Sequence, residues 1–438
     1  MDFEQAIRIL KEAKGDPAQL CLASVDLLLA GHPPDEEREK VRTALEVAAV
    51  PHWFDEKILA ALLDSPLATD AEALAARLRR LPVVEPFPAR GPGAANVHES
   101  TRLALRARMK AESPERLHAL SARARACFAG DTAPHARIEA LYHRFTAEPD
   151  AAAWECSTLA EEWDNAGRYE ALLGLGVVLD ELLQEGLPEG LVRGMALYCL
   201  ARIRFHYQPL EITAEQARAG LEEYQRSGND WLIALSQELL GDVLLAQGDL
   251  PHALDSYWAG LDIRKRLAQA DPSNTTAQRN VSVSHEKVGE VLYAQGDLAG
   301  ALAEYRASLA IRERLTAQDP ANAGWQRDLS VSHEKIGDVL RDQSDLAGAL
   351  AEYRASLTIR ERLTAQDPAN AQWQTDLARS CGTVAEALLA LPEGDRAEAR
   401  RLVARGLERM ESLAQAYPPT PYQQQVRAWL EALREQAG

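Results

Sequence analysis

Cysteine is scarce and scattered. Cys21, Cys127, Cys156, Cys199 and Cys381 form no CxxC pair, which argues against a disulfide framework or a zinc site and suits reduced thiols in a cytoplasmic protein. Basic charge is in deficit as well. The 48 lysines and arginines face 66 acids, a net of −18, which is the wrong sign for a general nucleic-acid binder and favours basic partners. No apolar run approaches a membrane span, and the acidic start Met1-Asp-Phe-Glu-Gln is unlike a signal peptide. No GxxxxGK[ST] phosphate cradle and no GxSxG elbow occurs, so neither P-loop chemistry nor that hydrolase arrangement is expected.

The remaining motifs with chemical potential also fall short. His285-Glu286 and His333-Glu334 begin an HExxH pattern, but Gly289 and Gly337 stand where the second zinc ligand belongs. These histidines read as packing or hydrogen-bonding residues. Cys127 with His118 or His135 is the one local thiol–imidazole cluster, and cysteines on helices are more often core fillers. Gly91-Pro92-Gly93 lacks the strand-to-helix context of a dinucleotide site. The sequence therefore predicts no enzyme activity, no metal and no cofactor.

What the chain does have is repetition. Residues 282–329 and 330–377 are one 48-residue block written twice, identical at 40 positions. A diverged third copy precedes them, Gly241-Asp-Val-Leu-Leu-Ala-Gln-Gly-Asp-Leu250 answering Gly289-Glu-Val-Leu-Tyr-Ala-Gln-Gly-Asp-Leu298. A fixed period implies an array in which each unit buries surface against its neighbours. Each copy reads as two long helices, roughly 323–343 and 346–366 in the last, joined tightly at Gly248, Gly296 or Ser344 and stopped by a proline.

The positions Leu240-Gly241, Val288-Gly289 and Ile336-Gly337, then Ala253, Ala301 and Ala349, then Tyr257, Tyr305 and Tyr353 resemble the tetratricopeptide repeat over residues 231–378. The period of 48 departs from that family's 34, each helix being about two turns longer. The resemblance implies a right-handed α-solenoid whose groove is lined by the first helix of each pair. Carried onto this sequence, the groove positions are Glu238, Asp242, Glu286, Glu290, Tyr293, Glu334, Asp338 and Arg341. Offsets of four keep them on one helix face, giving an acidic stripe with one aromatic and one basic interruption. Arg306, Arg312, Glu313 and Arg314, with their copies Arg354, Arg360, Glu361 and Arg362, fall on the second helices as outer-face or inter-repeat ion pairs of little individual weight.

Upstream the pattern is less regular. Helices are expected at 2–13, 17–30, 35–49, 54–63 and from the Thr69-Asp70 cap to Leu81, followed by a strand at 82–87, a Gly/Pro turn, a return segment at 94–98 and a helix from Glu99. Three helices and a small hairpin is the order of a winged-helix module. Pro51-His-Trp-Phe-Asp-Glu-Lys-Ile-Leu-Ala60 and Val97-His-Glu-Ser-Thr-Arg-Leu-Ala-Leu-Arg106 resemble the winged-helix segment of STAND-type signalling ATPases, here without a nucleotide-binding module.

The expected organisation is leading helices at 1–34, the winged-helix-like module at 35–112, and degenerate hairpins at 113–230. Three regular repeats follow at 231–378, with a diverged capping pair at 379–438. The expected function is a non-enzymatic scaffold or adaptor. Its acidic groove would hold a basic protein or peptide and regulate a separately encoded effector, such as a protease or NTPase, in signalling or bacterial defence. The alternative is a transcriptional regulator that reads DNA through the winged helix, with Arg77, Arg79 and Arg80 on its third helix and the array as sensor.

Overall fold

The structure, a computed structural model, describes residues 16–30, 35–205 and 207–438. The helix expected at 2–13 lies outside the described residues. The chain forms two compact units, Met1–Gly228 and Asn229–Gly438. Both are helical, with one short hairpin among the described residues.

Unit 1 begins with α1 (Pro17–Ala30), α2 (Asp35–Ala48), α3 (Glu56–Leu62) and α4 (Ala71–Leu78). Asp55 caps α3 by accepting from the Ile58 amide at 2.8 Å. Asp70 gives α4 no such side-chain cap, and the Thr69 hydroxyl donates instead to the Pro66 carbonyl at 2.6 Å. The strand pair is β1 (Val84–Pro86) against β2 (Ala95–Val97), antiparallel, with Phe54 bridging to Ala95 on the other side. Gly91 and Gly93 turn the hairpin at φ 114° and 83°. One core joins α1 to α4, both strands and the next helices through Phe54, Leu59, Leu78 and Leu105.

The rest of unit 1 is α5 (Glu99–Glu112), α6 (Pro114–Phe128), α7 (Pro134–Ala147), α8 (Pro149–Asn165), α9 (Tyr169–Glu185), α10 (Leu191–Phe205) and α11 (Leu210–Ser227). Prolines open α6, α7 and α8 at the first helical position, where no amide hydrogen bond is lost. Thus Pro149 starts a helix two residues after α7 ends.

Unit 2 is four long hairpins and a last helix: α12 (Asp230–Ala246) with α13 (Leu250–Ala270), α14 (Thr275–Ala294) with α15 (Leu298–Gln318), α16 (Ala323–Asp342) with α17 (Leu346–Gln366), α18 (Ala371–Ala390) with α19 (Arg396–Ala416), and α20 (Pro421–Ala437). Asn274, Asn322 and Asn370 cap the first helices, and Asp249, Asp297 and Asp345 cap the second. The joining turns place Gly248 and Gly296 at φ 79° and 80°. Ser344 holds the same place at φ 67°, the one non-glycine residue with positive φ among the described residues. Gly241, Gly289 and Gly337 let paired helices close. A Cβ there would come within 2.6, 2.6 and 2.5 Å of the Tyr257, Tyr305 and Tyr353 rings.

Candidate interaction surface on the first helices

The face expected to form a groove exists as a row along α12, α14 and α16, and its side chains are engaged with one another. Glu238 pairs with Arg264. Asp242 accepts from the Tyr257 hydroxyl at 2.6 Å and from Lys287 at 2.8 Å. Glu286 lies 2.5 Å from Arg312, and Glu290 takes Lys335 at 2.9 Å. Glu334 is buried and holds Arg360 at 2.6 Å together with Arg379. Asp338 accepts from Tyr353 at 2.8 Å and lies 3.5 Å from Arg341. Tyr293 donates to Asp342, which Arg341 also meets at 3.1 Å. The acidic stripe, expected with only Tyr293 and Arg341 as interruptions, is interleaved with further cations. Lys287 and Lys335 each reach back 45 residues to the preceding first helix, as Arg379 does.

A second ladder runs beneath. Arg312 and Arg360, expected as outer-face or inter-repeat pairs of little individual weight, are 4% and 2% exposed and link successive repeats. Each spans three helices. Arg312 meets Glu286 on its own first helix, then donates to the Ser332 hydroxyl (2.8 Å) and the Asp328 carbonyl (2.9 Å) on the next. Arg360 repeats this with Glu334, Ser380 (2.6 Å) and the Asp376 carbonyl (3.1 Å). Arg264 does so with Glu238 and Ser284. A guanidinium fork can satisfy several acceptors at once, which a lysine cannot match. Burial lowers the Arg360 pKa, and Glu334 works against that shift. Burial and Asp338 together push the Tyr353 phenol well above its usual range. The sequence did carry this signal, since Glu, then Arg 26 positions on, then Ser 20 further on recurs with the 48-residue period.

Between the charges lies an apolar line. Leu235, Val283 and Val331 are half-buried, 48 residues apart, on the same helix face as Glu238–Asp242, Glu286–Glu290 and Glu334–Asp338. His285 and His333 turn the other way and bond Glu304 and Glu352 on the second helices at 2.5 and 2.6 Å. No cluster that could hold a metal occurs among the described residues.

In unit 1 the expected DNA-facing arginines are partly committed. Arg77 pairs with Glu37, and Arg79 with Glu56 and the Gly93 carbonyl. Cys127 donates to the Arg123 carbonyl, and burial raises its thiol pKa, the opposite of an activated nucleophile. A cluster the sequence reading missed joins α5 to α9. Arg102 meets Glu181, Arg106 grips Glu185 at 2.8 and 3.1 Å, and Lys110 donates to the carbonyls of Glu185 and Gly186. The Tyr142 hydroxyl of α7 lies within hydrogen-bond reach of both glutamates and donates its one proton between them, and His52 sits 2.9 Å from Glu139 and 3.4 Å from Glu181. Its clue was the matched i, i+4, i+8 cations at 102, 106 and 110 and the i, i+4 acids at 181 and 185.

Residues 287–320, from within α14 to just past α15, match the family model of the tetratricopeptide repeat. Residues 335–368, in the α16–α17 hairpin, repeat most of the matched stretch. A search of curated proteins gives no match. Similar solved structures include BtubC from P. vanneervenii, at 16% identity over 66% of this chain and 96% of that one, with a TM-score of 0.43. A Rap protein complexed with competence and sporulation factor aligns at 12% identity over 92% and 100%, TM-score 0.41. A putative kinesin light chain of Podosopora anserina with nearly identical repeats aligns at 16% over 50% and 96%, TM-score 0.37. Among the described residues, no helix is long and apolar enough to cross a membrane.

Proposed function

We propose that the protein is a non-enzymatic interaction scaffold that holds a partner protein or peptide along the first-helix face of unit 2. The observation that carries this reading is the line Leu235, Val283 and Val331, repeated in register and left half-exposed between paired charges. A row of apolar sites with a charged, pre-ordered surround is the arrangement that anchors alternate side chains of an extended segment or one face of a helix. The surrounding carboxylates already have cations, so a purely basic peptide would have to displace Lys287 or Lys335 to reach them. We therefore read the partner as apolar at the anchors and mixed in charge at the flanks. The winged-helix-like segment and the missing phosphate cradle support an adaptor that regulates a separately encoded effector, such as a protease or NTPase.

Affinity capture from the native cell extract tests the surface. A Val283→Ser/Val331→Ser double variant should lose the captured partner by tenfold or more, while Arg306→Ser/Arg354→Ser on the second helices should not. Equal capture by both, with helicity intact by circular dichroism, would rule out the first-helix face.

A further inference from the structure

Unit 1 contains a cavity of about 420 Å³ between the ends of α5, α7 and α9 and the starts of α6 and α8. That is within the range of small-molecule sites. Its walls are mainly apolar, with Leu117, Phe145, Leu182 and Leu187 at their centre, and Thr146 contributes the lone hydroxyl. The charged groups at its edge differ in their balance. Arg106 is buried and neutralised by Glu185, and it also donates to the Val50 carbonyl at 2.8 Å. His118 uses its Nε2 on the Ala147 carbonyl at 2.7 Å. Lys110 is the exception. Its Nζ donates to two main-chain carbonyls, Glu185 at 2.7 Å and Gly186 at 3.0 Å, and it pairs with no carboxylate among the described residues. Lys110 is exposed at the cavity edge, and its ammonium has three donors, so the third faces solvent or a ligand at the mouth. The partial negative charge of a helix end offsets only part of its full positive charge.

We propose that this cavity binds a small aliphatic monocarboxylate, with the carboxylate on Lys110 and the chain among Leu117, Phe145, Leu182 and Leu187. One unbalanced cation calls for one acid group. Walls with a single hydroxyl exclude a polyhydroxylated ligand, whose buried donors would stay unpaired. The site is separate from the repeat face of unit 2, so it stands or falls independently of the scaffold reading. It adjoins the Arg106–Glu185 pair, so an occupant would brace the connection between α5 and α9.

Isothermal titration of the full chain with hexanoate, octanoate and decanoate is the test, with 1-octanol as the uncharged control. Affinity should rise about fourfold per methylene, the equivalent of about 0.8 kcal/mol, until the chain outgrows the cavity. Lys110→Met should weaken octanoate at least tenfold and leave 1-octanol unchanged. Thr146→Trp, which plugs the cavity from a half-buried position, should abolish both, as should Leu187→Trp on the connector after α9. Absence of binding at millimolar acid would overturn the proposal. So would octanoate binding that is unchanged in Lys110→Met, or in either folded tryptophan variant.

Discussion

Arg312 and Arg360 occupy equivalent places in near-identical repeats, yet their loss should differ. Arg312→Met removes the only ion-pair partner of Glu286 among the described residues and strands the Ser332 and Asp328 acceptors. Breaking a largely buried pair costs about 3–5 kcal/mol. Because the Glu286 side chain keeps 18% exposure, the lower end, about 3 kcal/mol, is expected. Arg360→Met leaves Glu334 still paired with Arg379. What goes is the set of hydrogen bonds to Asp376 and Ser380, about 2 kcal/mol. The difference traces to one position, since Val331 stands 48 residues before Arg379 and 45 after Glu286. Val331→Arg should therefore recover about 1 kcal/mol in the Arg312→Met background and little in the parent. Urea unfolding followed by far-UV circular dichroism and tryptophan emission measures all four variants. Equal destabilisation by the two arginine changes, or no rescue by Val331→Arg, would refute the account of paired ladders.

Gly289→Ala places a methyl group 2.6 Å from the buried Tyr305 ring. The overpacking penalty of about 1–3 kcal/mol outweighs the gain of about 1 kcal/mol in helix propensity, so the urea midpoint should fall. Ser344→Gly relieves a positive φ and should raise stability by about 0.5–1 kcal/mol, visible as a higher melting temperature. Burial opposes a charged His52, but Glu139 and Glu181 outweigh it and raise its pKa. This contribution is therefore complete below the unfolded value near 6.5 and disappears as pH rises through the folded pKa. His143, whose pKa burial lowers, acts in the opposite sense below 6.5. His52→Gln should accordingly cost most melting temperature near pH 6, and the gap from wild type should shrink towards pH 9. Excision of residues 330–377 brings Arg379 to the position of Val331, opposite Glu286, and should yield a folded, shorter array by circular dichroism and size-exclusion chromatography.

The repeat helices were legible because each is punctuated at both ends: Asn or Asp caps, glycine turns and a following proline mark bounds to within a residue at 323–342 and 346–366. The small hairpin was legible for the same reason, from its prolines and Gly91-Pro92-Gly93. Side-chain partnerships were harder. Glu286 and Glu334 look alike in sequence, but the second cation on Glu334 comes from a diverged copy where valine became arginine. Pairing across a 45-residue gap follows from how successive first helices stack, and periodicity alone does not give that spacing. The cluster around Tyr142 was hidden for a related reason, since its members come from four separated segments.

The seam between successive hairpins is heterologous: one side offers a guanidinium and the other a serine hydroxyl and a carbonyl, so identical blocks join head to tail with nothing in the joint to limit their number. Interfaces of this kind build open filaments unless something occludes the last one. Here α20 lies across α18 and α19, and Gln423 bonds Thr375 at 3.2 Å, exactly one 48-residue step away. Its outward face is mostly polar and offers no copy of the serine acceptor. In polymer terms α20 is a different monomer from the blocks before it, docked on the same joint by an amide–hydroxyl contact instead of a guanidinium.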